Sequence, residues 1–183
     1  MPTPAHALPP LSTKRHRAQT LSALSLASLP PPATEILPRL FISDLHTAED
    51  AAALRALGIT HVLSALPGPV RLPPALALTR YQVPVHDTPF AELAAHLPAC
   101  TAFIDAALRE PGARVLVHCA MGASRSVSVV CAWLVARAGL EPDAAVRFVR
   151  ERRCGADPNP GFVMQLHEYA ASLRAAANAN AGS

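Results

Sequence analysis

From residue 36 onward, short apolar runs alternate with longer amphipathic stretches, and their spacing predicts a succession of strands and helices. Residues 36–42 read as a short strand interrupted by Pro38. Thr47, with Asp50 three residues on, predicts the N-cap of a helix that runs to Leu57, and Gly58 falls just past its end. Residues 59–66 are mostly apolar and β-branched, the pattern of a buried strand. The proline-rich residues 67–74 predict a loop, residues 81–85 another strand, and residues 91–108 a helix that Pro98 divides or kinks. Val115-Leu116-Val117 is an uninterrupted apolar triplet, as a central parallel strand requires. Residues 126–137 are apolar nearly all round, and their valines leave helix and strand both open on periodicity. The following Ala138-Gly139, and Pro142 as a first-turn residue, favour helix, loop, helix. Asn159-Pro160 opens a last helix with Phe162, Leu166 and Tyr169 on one face. Strands alternating with helices predict an α/β domain whose central, mostly parallel sheet is flanked by helices.

Residues 1–34 have a different texture. They hold Pro2, Pro4, Pro9, Pro10 and the run Pro30-Pro31-Pro32, many serines, and no acidic residue before Glu35, so a disordered tail is expected there. Lys14-Arg15-His16-Arg17 fits a weak nuclear address; the acid-free, Ser- and Arg-bearing composition also fits an organelle transit peptide, though the prolines argue against its helix. The domain is expected over residues 35–176, with residues 177–183 as a flexible C-terminal tail. A chain of 183 residues suffices for one well-buried domain. Although 51% of the residues are hydrophobic, no run approaches the length that spans a bilayer, so no membrane partner is expected. The net charge is only +3 and Lys14 is the single lysine, without the basic stripe that a nucleic-acid partner needs. The 4 cysteines (Cys100, Cys119, Cys131, Cys154) include no Cys-x-x-Cys pair, which speaks against a structural metal. No secretory apolar segment opens the chain, so the expectation is a monomer with reduced thiols in the cytoplasm, with the nucleus as the alternative.

Candidate chemistry concentrates in His118-Cys119-Ala120-Met121-Gly122-Ala123-Ser124-Arg125-Ser126, between the predicted central strand and the helix after it. Free backbone N–H groups at a helix N-terminus point at an anion, and the helix dipole favours negative charge there. Gly122 lets a short loop curl its amides inward, so residues 120–124 are candidate phosphate ligands through their backbone. Arg125 offers a planar fork that matches two phosphate oxygens. A thiol at the bottom of such an electropositive bowl gives up its proton readily, and the thiolate of Cys119 beside a bound phosphoryl group is a nucleophile. His118 is placed to orient the loop from the strand side. Ser126 can donate a hydrogen bond to the sulfur when it must leave. Taken singly, a cysteine at a strand end is usually a small buried hydrophobe and an arginine at a helix start is unremarkable. Found together at this spacing, they predict a phosphate-binding catalytic loop.

His-Cys-x-x-Gly-x-x-Arg-Ser resembles the signature of the protein tyrosine phosphatase superfamily, and the chain looks like its dual-specificity branch. The likeness extends over residues 36–173. It is carried further by Leu40-Phe41-Ile42, by Leu57-Gly58-Ile59-Thr60-His61-Val62-Leu63, by Val115-Leu116-Val117 and by Asn159-Pro160-Gly161-Phe162 with Gln165-Leu166. The resemblance implies a protein tyrosine phosphatase-like fold, no metal or cofactor, and two-step hydrolysis through a phosphocysteine. No separate rhodanese-like docking domain is expected beside it, which would make the chain a compact, atypical member. In the family an aspartate about thirty residues upstream protonates the leaving oxygen. Here Asp87, in Val85-His86-Asp87-Thr88-Pro89-Phe90, stands 32 residues before Cys119 and is the expected general acid. The competing role for Asp87 is an Asx turn or the N-cap of the next helix. Asp105 and Glu92 are weaker candidates for the acid, and His86 is expected to be inert.

Ala120, Met121 and Ala123 leave the loop's variable positions uncharged, whereas relatives acting on polyphosphorylated inositol lipids tend to carry lysines there. Phosphotyrosine and phosphoserine or phosphothreonine in a protein are therefore the expected substrates. A phosphoinositide, an RNA 5′-triphosphate or a phosphoglucan remains the alternative among substrates, and a catalytically weak phosphate-binding interaction module the alternative to an enzyme. A sulfurtransferase also carries a loop cysteine but not this spacing. The arginines of Val149-Arg150-Glu151-Arg152-Arg153 read as a solvated helix face; Arg150 and Arg153, three apart, share one side and could meet a second substrate charge.

Overall fold

A computed structural model describes residues 32–181, so most of the proline-rich N-terminal segment, including Lys14-Arg15-His16-Arg17, lies outside the described residues. Its strands are β1 (Ala33–Leu37), β2 (Leu40–Ser43), β3 (His61–Ala65), β4 (Thr79–Val83) and β5 (Val115–His118). They form one sheet in the order β1-β2-β5-β3-β4. The pairings β2·β5, β5·β3 and β3·β4 are parallel, and only β1 runs antiparallel, against β2. The helices are α1 (Leu45–Glu49), α2 (Ala51–Leu57), α3 (Leu97–Arg109), α4 (Arg125–Ala138), α5 (Pro142–Arg152) and α6 (Pro160–Ala181).

Because side chains alternate across a strand, the central strand feeds two cores. Val115 and Val117 face the larger one, with Leu40, Ile42 and Leu63 from the neighbouring strands and Ile104, Val130 and Phe162 from the helices. Leu116 faces the smaller one, with Phe41, Val62 and Leu54. A sheet covered on both faces needs no polar alternation, which is why β5 reads as a plain apolar triplet. The expected α/β architecture with a central, mostly parallel sheet is what the chain adopts.

Several local expectations differ from the structure. Residues 36–42 belong to two strands rather than one: Arg39, at φ 70°, turns the chain so that Leu37 pairs with Leu40. The Arg39 side chain secures that turn by donating to the carbonyls of Leu108 (2.7 Å) and Glu110 (3.1 Å) at the end of α3. Thr47 is not an N-cap. Asp44 caps α1 by accepting from the Thr47 amide at 2.8 Å, and Asp50 caps α2 by accepting from Ala52 at 2.8 Å. Pro98 stands in the first turn of α3, where its missing N–H has no partner to lose, so it starts the helix rather than kinking it. Residues 126–137 are helical as part of α4, buried along most of its length between neighbouring helices and the sheet. At the C-terminus, α6 continues through Ala181, past the expected start of a flexible tail at residue 177; its last stretch, residues 175–181, is mostly alanine, the strongest helix former.

Candidate active site

His118 ends β5 between Ser43 of β2 and Ser64 of β3, so the loop 119–124 leaves the sheet at the carboxyl ends of its parallel strands. In open α/β sheets this is the edge where ligands bind. The loop is fastened from outside. The Ala120 carbonyl accepts from the Leu45 amide (3.2 Å), and the Ala123 carbonyl accepts from the Asp157 amide (2.8 Å). The Gly122 carbonyl accepts from Arg153 Nε (2.8 Å). Gly122 itself has φ 66°, and a Cβ there would lie 2.6 Å from the Ser43 carbonyl oxygen and 2.5 Å from Arg153 Nη2. Any side chain at that position is excluded twice, by conformation and by space.

Cys119 lies buried at the start of this loop, and its Sγ is 3.3 Å from Ser126 Oγ in the first turn of α4. His118 is wholly buried. Its Nε2 meets Ser64 Oγ at 2.7 Å and its Nδ1 meets the Cys119 carbonyl at 3.4 Å. Burial pushes the His118 pKa down to about 4, against the opposing pull of the Cys119 carbonyl and the Glu49 and Asp44 carboxylates. The imidazole is neutral at physiological pH and braces the cysteine backbone.

Arg125 opens α4 and is almost entirely buried. It donates through Nη1 to the Val85 carbonyl (3.3 Å), while its Nε lies 3.5 Å from Asp87 Oδ2 without making a hydrogen bond. A buried guanidinium with an unmet donor is a site waiting for oxygens. Asp87 Oδ1 in turn accepts from Ser124 Oγ (2.7 Å) and from Asn159 Nδ2 (2.8 Å). The segment around Asp87 and the phosphate-loop motif, 32 residues apart, thus share one hydrogen-bonded cluster.

The other acid candidates lie elsewhere. Asp105 is on α3, ion-paired with Arg109 and Arg137. Glu92 lines a separate cavity with Phe90 and Met164. Arg153 does not belong to a solvated face: it is 1% exposed and bridges the Gly122 carbonyl to Thr34 Oγ1 (2.9 Å), tying the loop to β1. Arg150 stays at the surface, paired with Asp157 at 2.5 Å, and lines the cavity that holds Asp87, Met121 and Ser124. The contacts of Arg153, Asn159 and the Ser124 hydroxyl have no local signal in the sequence that singles them out. Asn159 carries a signal for another contact, since an Asn-Pro start predicts an N-cap, and its Oδ1 does accept from Phe162 N (3.0 Å).

Burial pushes the Cys100 and Cys131 thiols up to about 12, so neither is a second nucleophile; Cys154 is exposed. Among the described residues no group of three or more His, Cys, Asp or Glu side chains could hold a metal ion, and no helix is long and apolar enough to cross a membrane.

A cysteine and an arginine bracketing one strand-to-helix loop, at the carboxyl edge of a mostly parallel sheet, define a protein tyrosine phosphatase-like fold. Comparison with known proteins gives the family. Residues 40–172 match the dual specificity phosphatase catalytic domain. The chain is 40% identical over 138 residues to dual specificity protein phosphatase 26 of Bos taurus, covering 73% of this chain and 65% of the relative. It is 39% identical over 150 residues to human dual specificity phosphatase 28, covering 80% of this chain and 82% of the relative. The crystal structure of human DUSP28 superposes with a TM-score of 0.72 at 34% identity, over 80% of this chain and 97% of that one. The chain belongs to the dual specificity phosphatase family.

Proposed function

We infer that this protein is a cysteine-dependent phosphatase acting on phosphorylated tyrosine and serine or threonine in proteins, with no cofactor. The observation that carries the reading is the cluster joining Asp87 to Ser124 and Arg125 at the mouth of the Cys119 loop. In the first step the Cys119 thiolate attacks phosphorus, the bond to the leaving oxygen breaks, and Asp87 gives that oxygen its proton. Arg125 and the loop amides hold the three remaining phosphoryl oxygens. In the second step water attacks the phosphocysteine, Asp87 takes the water's proton, and the S–P bond breaks. Ser126 Oγ, 3.3 Å from the sulfur, donates to the departing thiolate. His118, neutral and buried, holds the Cys119 backbone throughout. Entry of a dianionic phosphate gives Arg125 a better partner than Asp87, which frees the carboxyl to turn to the leaving oxygen.

The substrate class rests on the loop and on the family. Ala120, Met121 and Ala123 supply no side-chain charge for a second or third phosphate. Cys119→Ser tests the mechanism: turnover should vanish while vanadate still binds, because Arg125 and the loop backbone survive. Substantial activity in that variant, measured with chelator present, rules the cysteine mechanism out.

A further inference from the structure

A second cavity, of about 430 Å³, opens beside the cavity that holds Asp87, Met121 and Ser124, and the two share Pro160. Its floor is rigid. Gly161 packs so tightly on the Pro89 backbone that a Cβ there would overlap the Pro89 carbonyl. Gln165, one turn further along the same helix, pins the lining to the facing segment: its Oε1 accepts from the amides of Leu93 and Ala94, both at 2.7 Å, and its Nε2 donates to the Ala91 carbonyl at 2.9 Å. The cavity is therefore preformed and fixed to the segment that carries Asp87.

Two features mark the cavity as unfinished. Among the described residues the large hydrophobic side chains that stand exposed are Phe90 (93%), Met121 (74%) and Met164 (66%). Phe90 and Met164 line this cavity, and Met121 lines its neighbour. Scattered exposed hydrophobics are ordinary; their confinement to two adjoining cavities is not. The second feature is charge. Glu92 and Glu168 also line the cavity, and no basic residue does. Every other acidic side chain among the described residues makes a hydrogen bond or ion pair, and these two make none.

We propose that this cavity is a specificity subsite for an arginine or lysine lying a few positions from the phosphorylated residue of the substrate protein. An apolar stem with a cationic head fits the lining: the methylenes lie along Phe90 and Met164, and the head reaches Glu92 and Glu168. The Phe90 ring face adds a cation–π contact, stronger for arginine. A purely apolar side chain leaves both carboxylates unmet, and an acidic one meets them with repulsion. The two cavities meet at Pro160, so an extended peptide seated in the phosphate loop can run from one into the other. The subsite rests on the protein-phosphatase reading above, and it adds that substrates are selected by a basic flank.

The test is a phosphotyrosine peptide panel in which arginine, alanine, leucine or glutamate is scanned through the three positions on either side of the phosphoresidue. kcat/KM is measured for the parent, Glu168→Gln and Glu168→Arg, each normalised to its rate on an aryl phosphate too small to reach the cavity. In the parent, arginine at one position should exceed glutamate there by roughly tenfold, with alanine between them. Glu168→Gln should narrow that ratio to about threefold, and Glu168→Arg should abolish or invert it. Equal turnover of all flanks by the parent, a preference for leucine, or an arginine preference that survives Glu168→Arg overturns the subsite alone. Hydrolysis of the aryl phosphate with no phosphopeptide turned over removes the protein-substrate reading and the subsite with it.

Discussion

On the floor of the site His118, Cys119, Ser126 and Arg153 are sealed from solvent, while on the rim Phe90 and Met121 stand mostly in it. The floor is cross-tied to distant elements: Gly122 through Arg153 to β1, His118 to β3, Ala120 to α1. On the rim, Phe90 carries a bare apolar face and Glu92 an unpaired carboxylate. Chemistry needs one geometry held to a fraction of an ångström, and buried, multiply bonded side chains supply it. Discrimination among substrates needs surface that is unfinished until a partner completes it. Asp87 belongs to both: it sits on the rim segment by sequence, yet Ser124, Asn159 and Arg125 bind it to the floor.

The largest expected effect breaks that connection at Asp87. If Asp87 protonates the leaving oxygen, the cost of Asp87→Asn scales with how badly that oxygen needs a proton. A threonine alkoxide is the poorest leaving group, a tyrosine phenolate (pKa about 10) a better one, and an activated aryl oxide better still. The loss should approach about ten-thousandfold on phosphothreonine, where general acid catalysis is worth most, and shrink toward tenfold or less on the activated ester. The basic limb of the pH–rate profile should flatten as well. A uniform loss on all three substrates assigns Asp87 a positioning role. A preserved basic limb that disappears in Glu92→Gln moves the acid to Glu92.

A smaller effect tests whether the floor must be fastened from below. Arg153→Met removes the donor to the Gly122 carbonyl and the link to Thr34. With the loop free to drift, kcat/KM on an aryl phosphate should fall roughly tenfold to a hundredfold, the range for a small misplacement of reacting groups. Vanadate affinity should fall in parallel, and far-UV circular dichroism separates this from unfolding. A folded variant at the parent rate shows that the loop keeps its shape without Arg153.

What could be read in advance follows the same division between local and remote causes. The Cys119–Ser126 loop is contiguous, and residue types at fixed spacing mark it as the candidate site from sequence alone. The strand β5 and the helix boundary at Gly58 were legible because period, apolarity and a left-handed glycine are local signals. Arg153 was not legible. One arginine among the three of Arg150, Arg152 and Arg153 points inward only because Gly122 and Thr34, far away in sequence, converge beneath it. The β1–β2 turn looks like one interrupted strand in the sequence because Arg39, not a glycine, takes the left-handed conformation there. Thr47 reads as a cap because Asp44 and Asp50 bracket it, and only the hydrogen bonds tell which residue caps which helix.

The smallest expected change in rate belongs to His118, whose contribution shows in stability instead. Burial holds its folded pKa at about 4, below the unfolded value of about 6.5. Between those values the unfolded chain binds a proton that the folded chain refuses. Stability therefore rises with pH in that window: the contribution is complete above about pH 6.5 and is lost progressively as pH falls toward 4. Carried from pH 7 to pH 5, this one group costs on the order of 2 kcal/mol, and on the order of 3 kcal/mol by pH 4. His118→Gln removes the titration while keeping a polar side chain for Ser64 Oγ, now 2.7 Å from the ring. Its stability at pH 7 should be lower, because the replacement fits less well, but its decline with acid should be shallower by that amount. Urea unfolding at pH 7, 6 and 5 reads both quantities, and the slope is insensitive to the offset. Parallel slopes for parent and variant show that His118 titrates normally in the folded protein. The brace beneath Cys119 would then take up a proton near pH 6.5 instead of staying neutral down to about pH 4.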